Sequence, residues 1–182
     1  MQSQNYNSAL KSSKFKVVTG KVRFSYVNVF SPIPQDDGKP PKYSICILIP
    51  KEDEDTVNAI NLAVYDCKQD NKHLWDGEIP DDLKGGLRDG DLEKNDPAYD
   101  GHWFINATST TKPNVVYEDM SDVKNSFEFY SGCYGRASIT FYAHNAYGGR
   151  GIGCTINNLM KLEDGERLGA GSSPVDDFAK KR

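Results

Sequence analysis

At 182 residues, with 37% hydrophobic and 26% charged, the chain can bury a core without disulfide or metal staples and has the composition of one decorated domain. No apolar run approaches the roughly 18 residues that a membrane-spanning helix needs, and Met1 to Ser8 has neither a basic nor an apolar stretch, so no secretory leader is expected and a cytoplasmic site follows. The net charge of −4 argues against a polyanionic partner only on average, because residues 1–50 hold seven Lys or Arg against two Asp while residues 51–100 hold six against fifteen acids.

Residues 1–13 are polar and are expected to form a flexible arm. From Phe15 to Phe30, Val, Phe and Tyr alternate imperfectly with Lys and Arg, which predicts a long, bent or bulged strand. Ser31 to Lys42 contains Pro32, Pro34, Asp37-Gly38 and Pro40-Pro41 and reads as a loop. Tyr43 to Ile49 is a second strand closed by Pro50. Glu52 to Lys72 is the predicted helix: Val57, Ile60, Val64 and Cys67 lie at helical spacing, and four acids crowd the amino end, where the helix dipole favours them.

Leu74 to His102 has three Asp-Gly pairs and no clear period, which predicts a turn-rich excursion. Asp89-Gly90-Asp91 lacks the glycine and terminal glutamate positions of an EF-hand, so a calcium loop is not expected. Cys46, Cys67, Cys133 and Cys154 are single and widely spaced, as buried free thiols are, and neither metal nor cofactor is expected. Trp103 to Thr108 and Asn114 to Glu118 read as strands around a turn with Lys112-Pro113.

Tyr130 to Asn145 then forms one long strand with two chemistries. Ala137, Ile139, Phe141 and Ala143 share an apolar face, and Tyr134, Arg136, Ser138, Thr140, Tyr142 and His144 share the other. A cation and phenol rings at such spacing suit a phosphate chain and unpaired bases. Asn145 to Gly151 is a hairpin loop presenting Tyr147 and Arg150, followed by a partner strand from Ile152 to Leu159. Residues 165–182 read as a tail, which leaves one domain over residues 14–164. Several strands, one helix and long loops predict a mainly β chain, with the five-stranded OB barrel as the natural candidate.

Several segments resemble the OB-fold single-stranded DNA-binding proteins of phages. They are Arg23 to Pro32, Lys42-Tyr43-Ser44 with Leu48-Ile49-Pro50, Leu87 to Asp91, Phe104 to Ala107, Tyr130 to Arg136 and Leu168-Gly169. The resemblance implies a non-catalytic protein that coats single-stranded DNA in phage replication or recombination, in the cytoplasm of the infected bacterial host. It also implies an acidic tail that engages replication proteins, a role that Asp176-Asp177-Phe178 fits, although this chain continues into Lys180-Lys181-Arg182.

The expected phosphate contacts are Arg23, Lys112, Arg136 and Arg150, and the expected stacking rings are Trp103, Tyr134, Tyr142 and Tyr147. Two other readings compete. One is a metal-dependent nuclease built on Asp89 and Asp91, and the other a β-sandwich module that binds carbohydrate or belongs to a virion.

Overall fold

The computed structural model describes residues 10–11, 13–36, 38–145 and 149–169. Among these, the strands in chain order are β1 (Leu10–Lys11), β2 (Lys16–Val18), β3 (Val22–Ile33), β4 (Lys42–Pro50), β5 (Arg88–Asp89), β6 (His102–Ser109), β7 (Asn114–Val116), β8 (Tyr134–His144) and β9 (Gly151–Glu163). Helix α1 (Glu54–Asp70) and the single-turn α2 (Gly90–Glu93) both lie between β4 and β6.

Strand β3 pairs antiparallel with β4, β4 with β6, β8 with β9, and β3 with β8, while β6 meets β9 in parallel at Thr108 and Thr155. These pairings close β3-β4-β6-β9-β8 into a ring, the five-stranded barrel that the sequence predicted. Its interior is filled by one residue in two from each strand, among them Phe24, Ile47, Ile105, Ile139, Phe141 and Ile156.

The predicted strand from Phe15 to Phe30 is an irregular ladder that runs on to Ile33, with a further register shift between Asn28 and Ile33. Val18 faces Ser138 and Val22 faces Gly135, so β2 and β3 run along the same edge of β8 with one surplus residue between them. The fully buried Thr19 holds that corner through its amide to Ala137 O at 2.9 Å, and its hydroxyl oxygen accepts from the Ala137 amide at 3.0 Å. A second irregularity follows Ser25. Ser25 faces Cys46 and Asn28 faces Ser44, three steps on β3 against two on β4, and the extra residue puts Tyr26 at φ 47°.

Helix α1 starts two residues later than predicted because Asp53 is its cap. The Asp53 carboxylate accepts from the Thr56 amide at 3.1 Å and the Thr56 hydroxyl at 2.6 Å. The Gly20 amide in turn donates to the Thr56 hydroxyl oxygen at 2.9 Å, tying the helix to the β2–β3 corner. The helix buries Ile60, Ala63, Val64 and Cys67. All four cysteines are free and buried, and burial raises their thiol pKa values.

Residues 72–101 are better ordered than a turn-rich excursion suggests. A 3-10 turn at Lys72–Trp75 is followed by a bridge from Lys84 to Gly151, then by β5 paired with β6. Because β6 and β9 pair only at Thr108 and Thr155, the segment from Lys84 to Asp89 fills the opening between them, and a cleft of about 570 Å³ remains there. Among the described residues no helix is long and apolar enough to cross a membrane, and no group of His, Cys, Asp or Glu could hold a metal ion. Asp89 and Asp91 instead share the Lys51 ammonium, each at 2.7 Å, and Lys51 together with the Gly101 amide holds the Asp91 carboxyl below its usual range.

Candidate nucleic-acid interface

The two-faced alternation of β8 is present as predicted from Gly135 onward. Ala137, Ile139 and Phe141 are buried, while Tyr134, Arg136, Ser138, Thr140 and Tyr142 turn the other way and keep access to solvent. The outward residues nevertheless do not form one strip with the other expected contacts.

Arg23 and Tyr134 sit together at the first end of β8. The Arg23 guanidinium lies 5.3 Å from the Tyr134 ring centroid and donates to Gly132 O at 3.0 Å and Glu166 O at 2.7 Å, so it straps the chain after β9 onto the barrel. Arg136 Nε donates to Thr19 O at 2.9 Å. Arg136→Ala removes that charged donor from the carbonyl of a fully buried residue. It is expected to lower the unfolding free energy by about 1–3 kcal/mol, seen as an earlier urea midpoint; an unchanged midpoint would show that Arg136 does not brace this corner.

Tyr142 lies eight residues from Tyr134, roughly 27 Å along an antiparallel strand. It is 43% exposed, and its ring covers Gly153 on β9 so closely that a Cβ there would overlap it. Arg150 pairs with Asp82 at 2.9 Å near the same end. Trp103 is half-buried against the core, with the Lys51 ammonium 4.9 Å from its ring centroid. Lys112 lies apart, 5.9 Å from the Phe30 ring centroid. Tyr147, Asp176, Asp177 and Phe178 lie outside the described residues.

A more continuous surface runs across the outside of the ring over β3, β4, β6 and β9. Cys46, Leu48, Tyr99 and Phe104 form a small apolar cluster on the outer wall, with Leu168 packed on it. Tyr99 and Phe104 meet edge to face at 5.4 Å. Burial drives the Tyr99 phenol well above its ordinary pKa. Cations cap the rings: Arg88 lies 4.8 Å from Phe104, and Lys94 lies 5.3 Å from Phe104 and 5.6 Å from Tyr99.

Lys84, Arg88, Asn106 and Gly153 then line the cleft beside β5, and Tyr142 stands over Gly153 at its far side. At the β3 end, Tyr26 is 67% exposed and follows the buried Ser25, which pairs with Cys46, the residue whose Sγ lies 3.6 Å from the Tyr99 hydroxyl. The band therefore sets two exposed rings, Tyr26 and Tyr142, and the cations Lys84, Arg88 and Lys94 around the buried pair Tyr99 and Phe104.

The sequence reading missed Lys84, Arg88, Lys94 and Tyr26. The first three sit in a strongly acidic stretch, and only the docking of that stretch on β6 collects them. A signal for Tyr26 was present: Val22 and Phe24 are buried at even positions and Val29 at an odd one, so the inward phase slips by one residue between them.

The ring order and its single parallel closure define an OB-type barrel. The family described as the ssDNA-binding protein of Enterobacter phage Enc34 matches residues 15–182, and the chain belongs to that family. Protein p50 of Acyrthosiphon pisum secondary endosymbiont phage 1 is 25% identical over 171 residues, spanning 90% of this chain and 92% of that protein. Among solved structures, the Enc34 single-stranded DNA-binding protein in complex with ssDNA is similar at TM-score 0.77 and 24% identity, over 89% of this chain and 98% of that one. The single-stranded DNA-binding protein gp2.5 of bacteriophage T7 is similar at TM-score 0.56 and 12% identity, over 92% and 94% of the two chains. At these identities the two structures speak to the fold.

Proposed function

We propose that the chain binds single-stranded DNA without marked sequence preference during phage DNA replication or recombination. Family membership over residues 15–182 is the observation that carries this reading, and the outer band supplies its chemistry. Lys84 and Lys94, with Arg88 exchanging Glu93 and Arg150 exchanging Asp82 for a phosphate, would neutralise the backbone, and Tyr142 would stack a base. Asn106 adds a neutral donor and acceptor that any base can use. Lys112 would extend the contact before β7, and Tyr147, outside the described residues, is kept as a stacking ring on its sequence alone, whereas Arg23, Tyr134 and Trp103 would brace the wall.

The protein is read as a binding protein, not an enzyme, working in the cytoplasm of the infected bacterial host. The tail with Asp176-Asp177-Phe178 is assigned to contacts with phage replication proteins, with the barrel occupying residues 14–164 as the DNA-binding domain.

The test is a labelled oligonucleotide offered as single strand and as duplex across a salt series, with and without magnesium. The single strand should bind more tightly, and log affinity should fall with log salt by about 0.7 per phosphate neutralised. Equal binding of duplex, or magnesium-dependent cleavage, would overturn the reading.

A further inference from the structure

We propose that Tyr26 is a base-stacking platform at the β3 end of the outer band, held out by a β-bulge in a backbone conformation that glycine ordinarily occupies. The inference rests on the single-strand reading above and assigns one of its contact residues.

The bulge comes from the register: one surplus residue between the Ser25–Cys46 and Asn28–Ser44 pairs. Tyr26 takes it up at φ 47°, inside the left-handed region, where a Cβ crowds the following carbonyl. Bulges with a left-handed residue usually place glycine there. Among the described residues only Asp76 and Met120 share a positive φ without being glycine, and both lie at turns outside the strands. An aromatic residue inside a strand is the costlier case.

Among the described residues little offsets that cost. The ring is 67% exposed, and the hydroxyl makes no hydrogen bond among the described residues. The backbone, by contrast, is fastened on both sides. Asn28 Nδ2 donates to Tyr26 O at 3.1 Å, the Val27 amide donates to the Ser131 hydroxyl oxygen at 3.1 Å, and Phe24 exchanges backbone bonds with Cys133 and Gly132. A strained residue with a rigid mount and an unburied ring has the properties of a contact made with another molecule.

The location specifies that molecule. Ser25, the residue before Tyr26, pairs with Cys46 of the cluster that holds Tyr99, and the Lys94 ammonium lies 5.6 Å from the Tyr99 ring centroid, so Tyr26 leaves β3 at the edge of the wall already assigned to DNA, where Lys94 is its cation. A flat apolar face beside a cation fits a nucleobase with its phosphate. Because the mount is rigid, little conformational freedom is lost when the base arrives.

The experiment compares the full chain with Tyr26→Gly and Tyr26→Phe, reading affinity for a labelled single-stranded oligonucleotide and the thermal transition of each. Glycine suits the left-handed backbone, so Tyr26→Gly should melt at the wild-type temperature or above it while binding about tenfold more weakly or worse. Tyr26→Phe keeps the π-face and should bind within about threefold of wild type. A Tyr26→Gly chain that binds as well as a binding-competent wild type overturns this inference alone, as does one whose melting temperature falls in step with its affinity. Absence of binding by the wild-type chain would overturn the single-strand reading as well.

Discussion

Gly135→Ala is expected to destabilise the barrel by on the order of 4 kcal/mol, a large share of the roughly 5–15 kcal/mol that holds a domain folded. Gly135 is the second residue of β8, buried between Phe24 and the Met160 carbonyl. Its φ is not positive, so conformation is not the issue; space is. A Cβ would overlap the Met160 carbonyl oxygen, which belongs to backbone, and relief requires β8 and β9 to separate where they already change register between Tyr134 and Gly135.

Gly153→Ala supplies the contrast. There the overlap is with the Tyr142 ring, which can swing away into solvent, so the stability loss should be much smaller even though the added atom is the same. Both are read by thermal and urea unfolding. A Gly135→Ala chain that melts within about 2 °C of wild type would mean that the β8–β9 register is not the one described, since about 4 kcal/mol corresponds to some 8–16 °C at this size.

Lys84→Glu combined with Lys94→Glu should weaken binding of single-stranded DNA by on the order of a hundredfold at low salt. Both lysines are exposed, and they flank Arg88 on the segment that docks over β6. Lys94 has ring contacts with Phe104 and Tyr99, yet exposed contacts of this kind are worth only about 0.5–1 kcal/mol, so the fold should survive. The loss should shrink with added salt, and the slope of log affinity on log salt should become shallower by about 1.4, two phosphates at roughly 0.7 each.

The neutral pair Lys84→Gln and Lys94→Gln should fall between the reversal and wild type, because it removes attraction without adding repulsion. If the reversed chain keeps its thermal transition and binds within threefold of wild type, the DNA does not follow this segment, and the outer face of β8 becomes the next path to test.

How much of this was legible in the chain depends on the range of the interactions involved. The faces of β8 could be read because a period of two and a one-sided core leave a strong pattern, and Ala137, Ile139 and Phe141 obey it. Helix α1 was read for a similar reason, with an error of two residues at its start because the acidic run conceals which carboxylate is the cap. The outward residues of β8 were harder. Alternation says that Arg136 and Tyr134 leave the core, but not that Thr19 O awaits one and the Arg23 guanidinium the other.

By itself the sequence determined a mainly β barrel, its one long helix, the buried thiols and the family, because local periodicity and backbone preferences act within a few residues of each position. Only the tertiary structure decided which cations and rings share a surface. Lys84, Arg88 and Lys94 reach the outer wall because β5 pairs with β6, and Tyr26 projects because two strands disagree by one residue in register. Such pairings join segments far apart in the chain, and no local pattern carries the free energy that selects them.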